Sequence, residues 1–316
     1  MTHAIELGTR RVLHPGKLRW LRALGWMVAL FFLVPLAFGL FSEGALHSAM
    51  FLMGVGNLPS DQAPAAARLG ATALGALACV AVYWAAVRYA EDRPVSELAL
   101  RPLLPELVIG LLIGAGLMVA AIGLLWATGA VAITQQPVRT VVNALRESIQ
   151  SGVVEEMLLR LIVFRLLWRA FGVWAALTLS ALLFGFLHLM NPNASVFAAI
   201  CIALEAGVLL AAFYVLTGRA WMPIGVHAGW NFTQGWIFGA AVSGTSGFAG
   251  GPLLTRPAPG ASEILSGGGF GPEASLPGLI VCTAAGAALF WHAWRRGLLE
   301  TPAERPEAER LASEFS

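Results

Sequence analysis

Residues 153–167 read VVEEMLLRLIVFRLL, an apolar run broken by Glu155 and Glu156 and, one helical turn later, by Arg160. Ionised side chains at bilayer depth are costly and persist where they pair, line a cavity or do chemistry. The run is apolar enough to enter a membrane, so its charges demand one of those explanations. Two later apolar segments add His188 in FGFLHLM (184–190) and the pair His227 and Asn231 in GVHAGWNF (225–232). Acid, imidazole and amide groups are thus expected together in an oily setting.

Composition supports the membrane assignment. Hydrophobic residues make up 58% of the chain, charged residues 12%, and the mean hydropathy is +0.74, whereas soluble domains carry roughly 25% charged residues. The formal charge of +2 is too small to suggest nucleic-acid binding, and the basic residues cluster at the ends of apolar segments. Cys79, Cys201 and Cys282 each lie inside an apolar segment without paired spacing, so they read as packing residues, with neither a disulfide framework nor a zinc knuckle.

A spanning helix needs about 20 mostly apolar residues. That criterion predicts an all-α polytopic membrane protein with about eight spans, near 23–42, 69–88, 106–130, 150–169, 173–190, 195–217, 221–242 and 276–294. Segment 45–54 is too short to cross and reads as an interfacial or re-entrant piece, or as part of a longer first hairpin. The expected organisation is a basic N-terminus (1–22), one transmembrane domain (23–294) and a charged tail (295–316). No cleavable signal is evident, so the first span is expected to remain as an anchor.

Orientation follows from the short-loop arginines. The N-terminal cluster, Arg88, Arg93, Arg101, Arg165, Arg169, Arg219, Arg295 and Arg296 all fall on one side of an eight-span chain, with Arg68, Arg139 and Arg256 opposite. Both termini are therefore expected in the cytoplasm, the location being a bacterial inner membrane. The Gly-, Pro- and Ser-rich stretch 243–275 reads as a flexible non-cytoplasmic loop that either gates a cavity or links spans.

At 100° per residue, Glu156 and Arg160 lie about 40° apart on a helix and can pair, whereas Glu155 points about 140° away from Arg160. Glu155 therefore keeps a freer carboxylate, suited to proton transfer. The competing reading places both glutamates at a solvated first turn with Arg160 snorkelling. His227 and Asn231 share a face at i, i+4. Carboxylate plus imidazole can activate a water, and a second imidazole with an amide can hydrogen-bond an oxyanion.

The ordered set Glu-Glu-x-x-x-Arg at 155–160, Phe-x-x-x-His at 184–188 and His-x-x-x-Asn at 227–231 resembles the CAAX prenyl protease and bacteriocin-processing (CPBP, or Abi) family of intramembrane endopeptidases. The resemblance covers about 145–240. It implies an eight-helix fold with a polar cavity opening towards the cytoplasmic leaflet and glutamate-dependent peptide cleavage. Glu155 and His188 would activate the water, His227 and Asn231 would stabilise the oxyanion, and Glu156 and Arg160 would orient the acidic helix. The implied partners are a peptide or membrane-anchored protein substrate, prenylated CAAX-type or otherwise, and the lipid bilayer.

No cofactor is expected on this reading, with zinc held by Glu155, His188 and His227 as the alternative; the chain lacks a His-Glu-x-x-His helix. A non-catalytic membrane scaffold is the alternative from another class, and a proton-coupled transporter is a third, although no repeated half-structure supports it. Glu205 in CIALEAGVLLAAF (201–213) matches no family motif. It is expected either to hydrogen-bond a neighbouring helix or to line the cavity and tune the histidines.

Overall fold

A computed structural model describes residues 5–299. The tail beyond 299, with the rest of the expected charged segment 295–316, lies outside the described residues. Among the described residues the regular structure is helical apart from one two-stranded ribbon, as an apolar chain in lipid must be, since helices satisfy their backbone polar groups internally.

The first helix, α1 (Arg19–Leu52), runs 34 residues and absorbs most of segment 45–54, which is therefore not a separate interfacial piece. α2 (Ala65–Ala85) continues in wide i→i+5 turns to Ala90 and packs along α1. Gly75 permits that approach: a Cβ there would lie 2.9 Å from the Phe38 carbonyl oxygen. α3 (Leu103–Ala127) leads into strand β1 (Val131–Gln135).

The acidic segment forms one continuous rod. α4 (Val142–Ile149) passes through wide turns at Gln150–Glu155 and Met157–Phe164 into α5 (Arg165–Phe171), which stops at Gly172 with φ +88°. Its residues Met157, Leu161, Ile162, Phe164 and Arg165 are fully buried, so the rod runs through the bundle interior. α6 (Val173–His188) follows directly, then α7 (Val196–Ile202), wide turns at Ala203–Val208 and α8 (Leu209–Thr217). α9 (Trp221–Phe232) carries His227 and Asn231. Beyond it lie β2 (Leu253–Pro257), α10 (Glu263–Ser266) and α11 (Leu276–Arg295).

Helices occupy all eight predicted positions, but among the described residues five are both long and apolar enough to cross a membrane. α6 has 16 residues, α9 has 12 before its wide turns, and the acidic rod is interrupted by charges. Interior helices face other helices, which relaxes the demand for uninterrupted apolarity.

Stretch 243–275 is not the flexible loop expected from its composition. β2 pairs antiparallel with β1, in register from Val131 opposite Pro257 to Gln135 opposite Leu253. Phe248, Ser266, Phe270 and Glu273 are buried within it. The glycines permit tight turns over the bundle rather than disorder.

α9 is held by close backbone contact with α3. Gly110 and Gly114 on α3 face Gly225 and Gly229 on α9, two small-xxx-small pairs of the type that lets membrane helices approach. A Cβ at Gly110 would lie 2.6 Å from the Met222 carbonyl oxygen, and one at Gly225 would lie 2.6 Å from that of Leu107. His227 is two residues from Gly225, about 160° around the helix, so seating the glycines against α3 turns the imidazole inward.

Candidate active site

Glu156 is the hub of the site. Its side chain is fully buried; Oε1 lies 3.1 Å from Arg160 Nη1 and 2.8 Å from His227 Nδ1. Arg160 also donates from Nη2 to the Ala206 carbonyl at 2.6 Å, and its guanidinium stands 5.0 Å from the Phe184 ring centroid. The predicted Glu156–Arg160 pair thus exists, and it extends to two more helices and an imidazole. Carboxylates beyond a functional histidine commonly fix its tautomer and ring orientation.

Glu155 occupies the other side of the same imidazole. Its Oε2 is 4.0 Å from His227 Nε2, has no hydrogen-bond partner, and belongs to a side chain 36% exposed. Consecutive glutamates diverge around a helix, yet both reach His227 because the two ring nitrogens point in different directions. Glu155 is the freer carboxylate, as the helical geometry predicts.

Asn231 lies one turn beyond His227 on α9 and donates from Nδ2 to Ser151 Oγ at 3.0 Å, while Ser151 donates to the Glu147 carbonyl at 2.9 Å. His188 sits at the last residue of α6, its Nδ1 2.8 Å from the Phe184 carbonyl and its ring edge-on to Phe184 at 4.7 Å. With Nδ1 engaged by the backbone, Nε2 remains for the cavity. Among the described residues no hydrogen bond or ion pair joins Glu155 to His188. The structure places Glu155 against His227 instead.

His188, His227 and Asn231 line one cavity of about 40 Å³, room for a few waters. A larger groove of about 840 Å³ at the other end of the bundle contains none of these residues. The small cavity is also walled by Glu205, Ser243 and Glu273. Glu205 is 2% exposed, and neither of its oxygens has a partner among the described residues. Among the described residues it makes no hydrogen bond to a neighbouring helix; it lines the cavity. Glu273, in the turn before α11, accepts from the backbone N–H of Ser243. Burial pushes its carboxyl above the usual carboxylate range, opposed by Ser243 and by the charge of His188.

Sequence reasoning missed Glu273, which stands in the stretch 243–275 that composition marks as a flexible loop. It also missed the role of the glycine pairs, although their four-residue spacing is visible in the chain. Among the described residues no group of three or more His, Cys, Asp or Glu side chains is drawn together as metal ligands would be.

Residues 137–233 match the family model described as type II CAAX prenyl endopeptidase Rce1-like. This part of the chain is similar to the CAAX protease family. The matched CAAX-protease region runs from just before α4 to just past α9 and contains Glu155, Glu156, Arg160, His188, His227 and Asn231. It ends before Ser243 and Glu273, so chain outside the CAAX-protease region completes the cavity wall. No match was found among curated proteins or among solved structures. The family indicates a membrane endopeptidase.

Proposed function

We propose that the protein is an intramembrane endopeptidase that hydrolyses a peptide bond of a membrane-associated protein or peptide without a metal, using Glu155 as general base. The observation that carries this reading is the placement of Glu155 Oε2, partnerless and 4.0 Å from His227 Nε2, at a site where Glu156 already holds His227 Nδ1. A carboxylate oxygen with neither a guanidinium nor a hydrogen-bond partner can accept a proton, while its paired neighbour cannot do so without breaking the brace.

In the proposed step a water molecule passes a proton to Glu155 as its oxygen attacks the scissile carbonyl carbon. The carbonyl oxygen becomes an oxyanion that accepts hydrogen bonds from Asn231 Nδ2 and from Nε2–H of His227 in its imidazolium form, whose Nδ1–H is held by Glu156; such donors typically contribute about 3 kcal/mol each to the transition state. Collapse of the tetrahedral intermediate breaks the C–N bond, and Glu155 returns the proton to the departing amine. His188, fixed through Nδ1 and walling the same cavity, orients the water and the substrate carbonyl through Nε2.

The test is cleavage of prenylated and unprenylated peptides by the purified protein, its Glu155→Ala variant and its His227→Ala variant. The expected result is loss of cleavage in both variants with the fold retained. Cleavage unaffected by either substitution rules out the site. Repeating the assay with a strong chelator, with zinc restored afterwards, decides the zinc alternative.

A further inference from the structure

The cavity and most of the basic residues lie at opposite ends of the bundle. One end is marked by Arg165 on Glu91 at 2.7 Å, Trp221 Nε1 on the Ala99 carbonyl at 2.8 Å and the Arg219–Glu106 pair. The other is marked by Asn191 Nδ2 on the Ser243 carbonyl at 3.0 Å and by the β1–β2 ribbon. α6 runs from the first end to the second and delivers His188 at its last residue. Ser243 and Glu273, both in the connection over the second end, wall the cavity directly.

Lysine and arginine are divided unequally between these ends. Thirteen of the 20 belong to the first, in stretches 10–22, 88–101, 165–169, 219 and 295–296. Four belong to the second: Arg68, Arg139, Arg146 and Arg256. An excess of Lys and Arg in short loops marks the cytoplasmic side. The arrangement implied by the family resemblance, a cavity towards the cytoplasm, and cytoplasmic termini therefore exclude each other in this fold, and the charge count decides for the termini.

We propose that the cavity faces the non-cytoplasmic side, and that its substrate is a membrane-anchored polypeptide whose scissile bond lies in the outer half of the bilayer. Depth supports the second part. Glu205 is nine residues into the helix that begins at Val196, about 14 Å from that end at 1.5 Å per residue, short of the midpoint of a hydrocarbon core about 30 Å thick. A cavity of about 40 Å³ accommodates the atoms of one extended peptide unit rather than a folded chain. The facing rests on helix direction and charge alone; the substrate class rests also on the protease reading.

Two cysteine substitutions in the full-length chain test the facing. Thr9 and Ser262 are exposed at the first and second ends, while Cys79, Cys201 and Cys282 are buried and give a low background. In intact cells a membrane-impermeant maleimide is expected to label Ser262→Cys, and to label Thr9→Cys only in inside-out vesicles. The reverse pattern overturns the proposal. A second arm places one cleavable segment on either the outer or the inner side of the same transmembrane anchor. Outer cleavage at least tenfold faster is expected, and equal or faster inner cleavage overturns the substrate assignment. Cleavage of neither overturns the protease reading, and the labelling still decides the facing.

Discussion

His227 Nδ1 lies 2.8 Å from Glu156 Oε1, and that oxygen simultaneously holds Arg160 at 3.1 Å. One carboxylate therefore positions the imidazole and neutralises a guanidinium that is 2% exposed. Removing it leaves two buried groups without their partner. Glu156→Ala is expected to cost about 3–5 kcal/mol of stability, the usual penalty for orphaning a buried ion-pair partner. Thermal unfolding in detergent measures it; a variant as stable as the parent would contradict the role of Glu156 as brace.

Glu155→Gln should behave in the opposite way. The Glu155 Oε2 atom has no hydrogen-bond partner, so the change is expected to move stability by less than about 1 kcal/mol. Peptide cleavage should nevertheless fall by about 10²- to 10⁴-fold, the range for loss of a general base. Comparing kcat with the unfolding midpoint for both glutamate variants separates catalysis from support, and equal loss of stability in the two would contradict the division between them.

No hydrogen bond among the described residues offsets the burial of Glu205. Replacing a partnerless buried polar group by an apolar one is neutral or stabilising, so Glu205→Leu is expected to leave the unfolding midpoint unchanged or raise it. A large drop would show that Glu205 has a structural partner after all.

The α3–α9 contact can be probed with an internal control. Gly225→Ala forces a methyl group towards the Leu107 carbonyl and is expected to cost about 1–3 kcal/mol by overpacking. Gly116, on the same helix as Gly114 but with no atom within 4 Å of a built Cβ, should accept alanine with a small gain of about 0.5–1 kcal/mol. Equal effects at the two positions would mean that close helix approach does not set the position of α9.

Acid sensitivity should concentrate at the other end of the bundle. Burial alone would raise the Glu91 carboxyl, but Arg165 and then Arg93 bring it from 4.5 to about 2. A carboxyl depressed by folding contributes its full stabilisation above pH 4.5 and loses it as pH falls towards 2. Glu97, lowered mainly by Arg93 against its burial, acts in the same direction. Glu273 is raised, so its contribution instead declines as pH rises. The unfolding midpoint of the parent is expected to drop steeply below pH 4.5 and that of Glu91→Gln to start lower and vary less; parallel curves would contradict the assignment.

The class of fold and the helix faces that carry the candidate site were legible in the chain itself. Apolar runs of about 20 residues must become helices in lipid, and the four-residue spacings placed Glu156 with Arg160 and His227 with Asn231 on common faces. Such inferences depend on local periodicity, which a linear sequence contains in full. Which imidazole meets which carboxylate depends on the seating of one helix against another, and that depends on Gly110, Gly114, Gly225 and Gly229. Tertiary packing alone brought Glu155 to His227 rather than to His188, folded 243–275 over the bundle, and set Glu273 into the wall of the cavity. These contacts join residues far apart in the chain, where distance is decided by side-chain size and close packing rather than by the periodicity of any one segment.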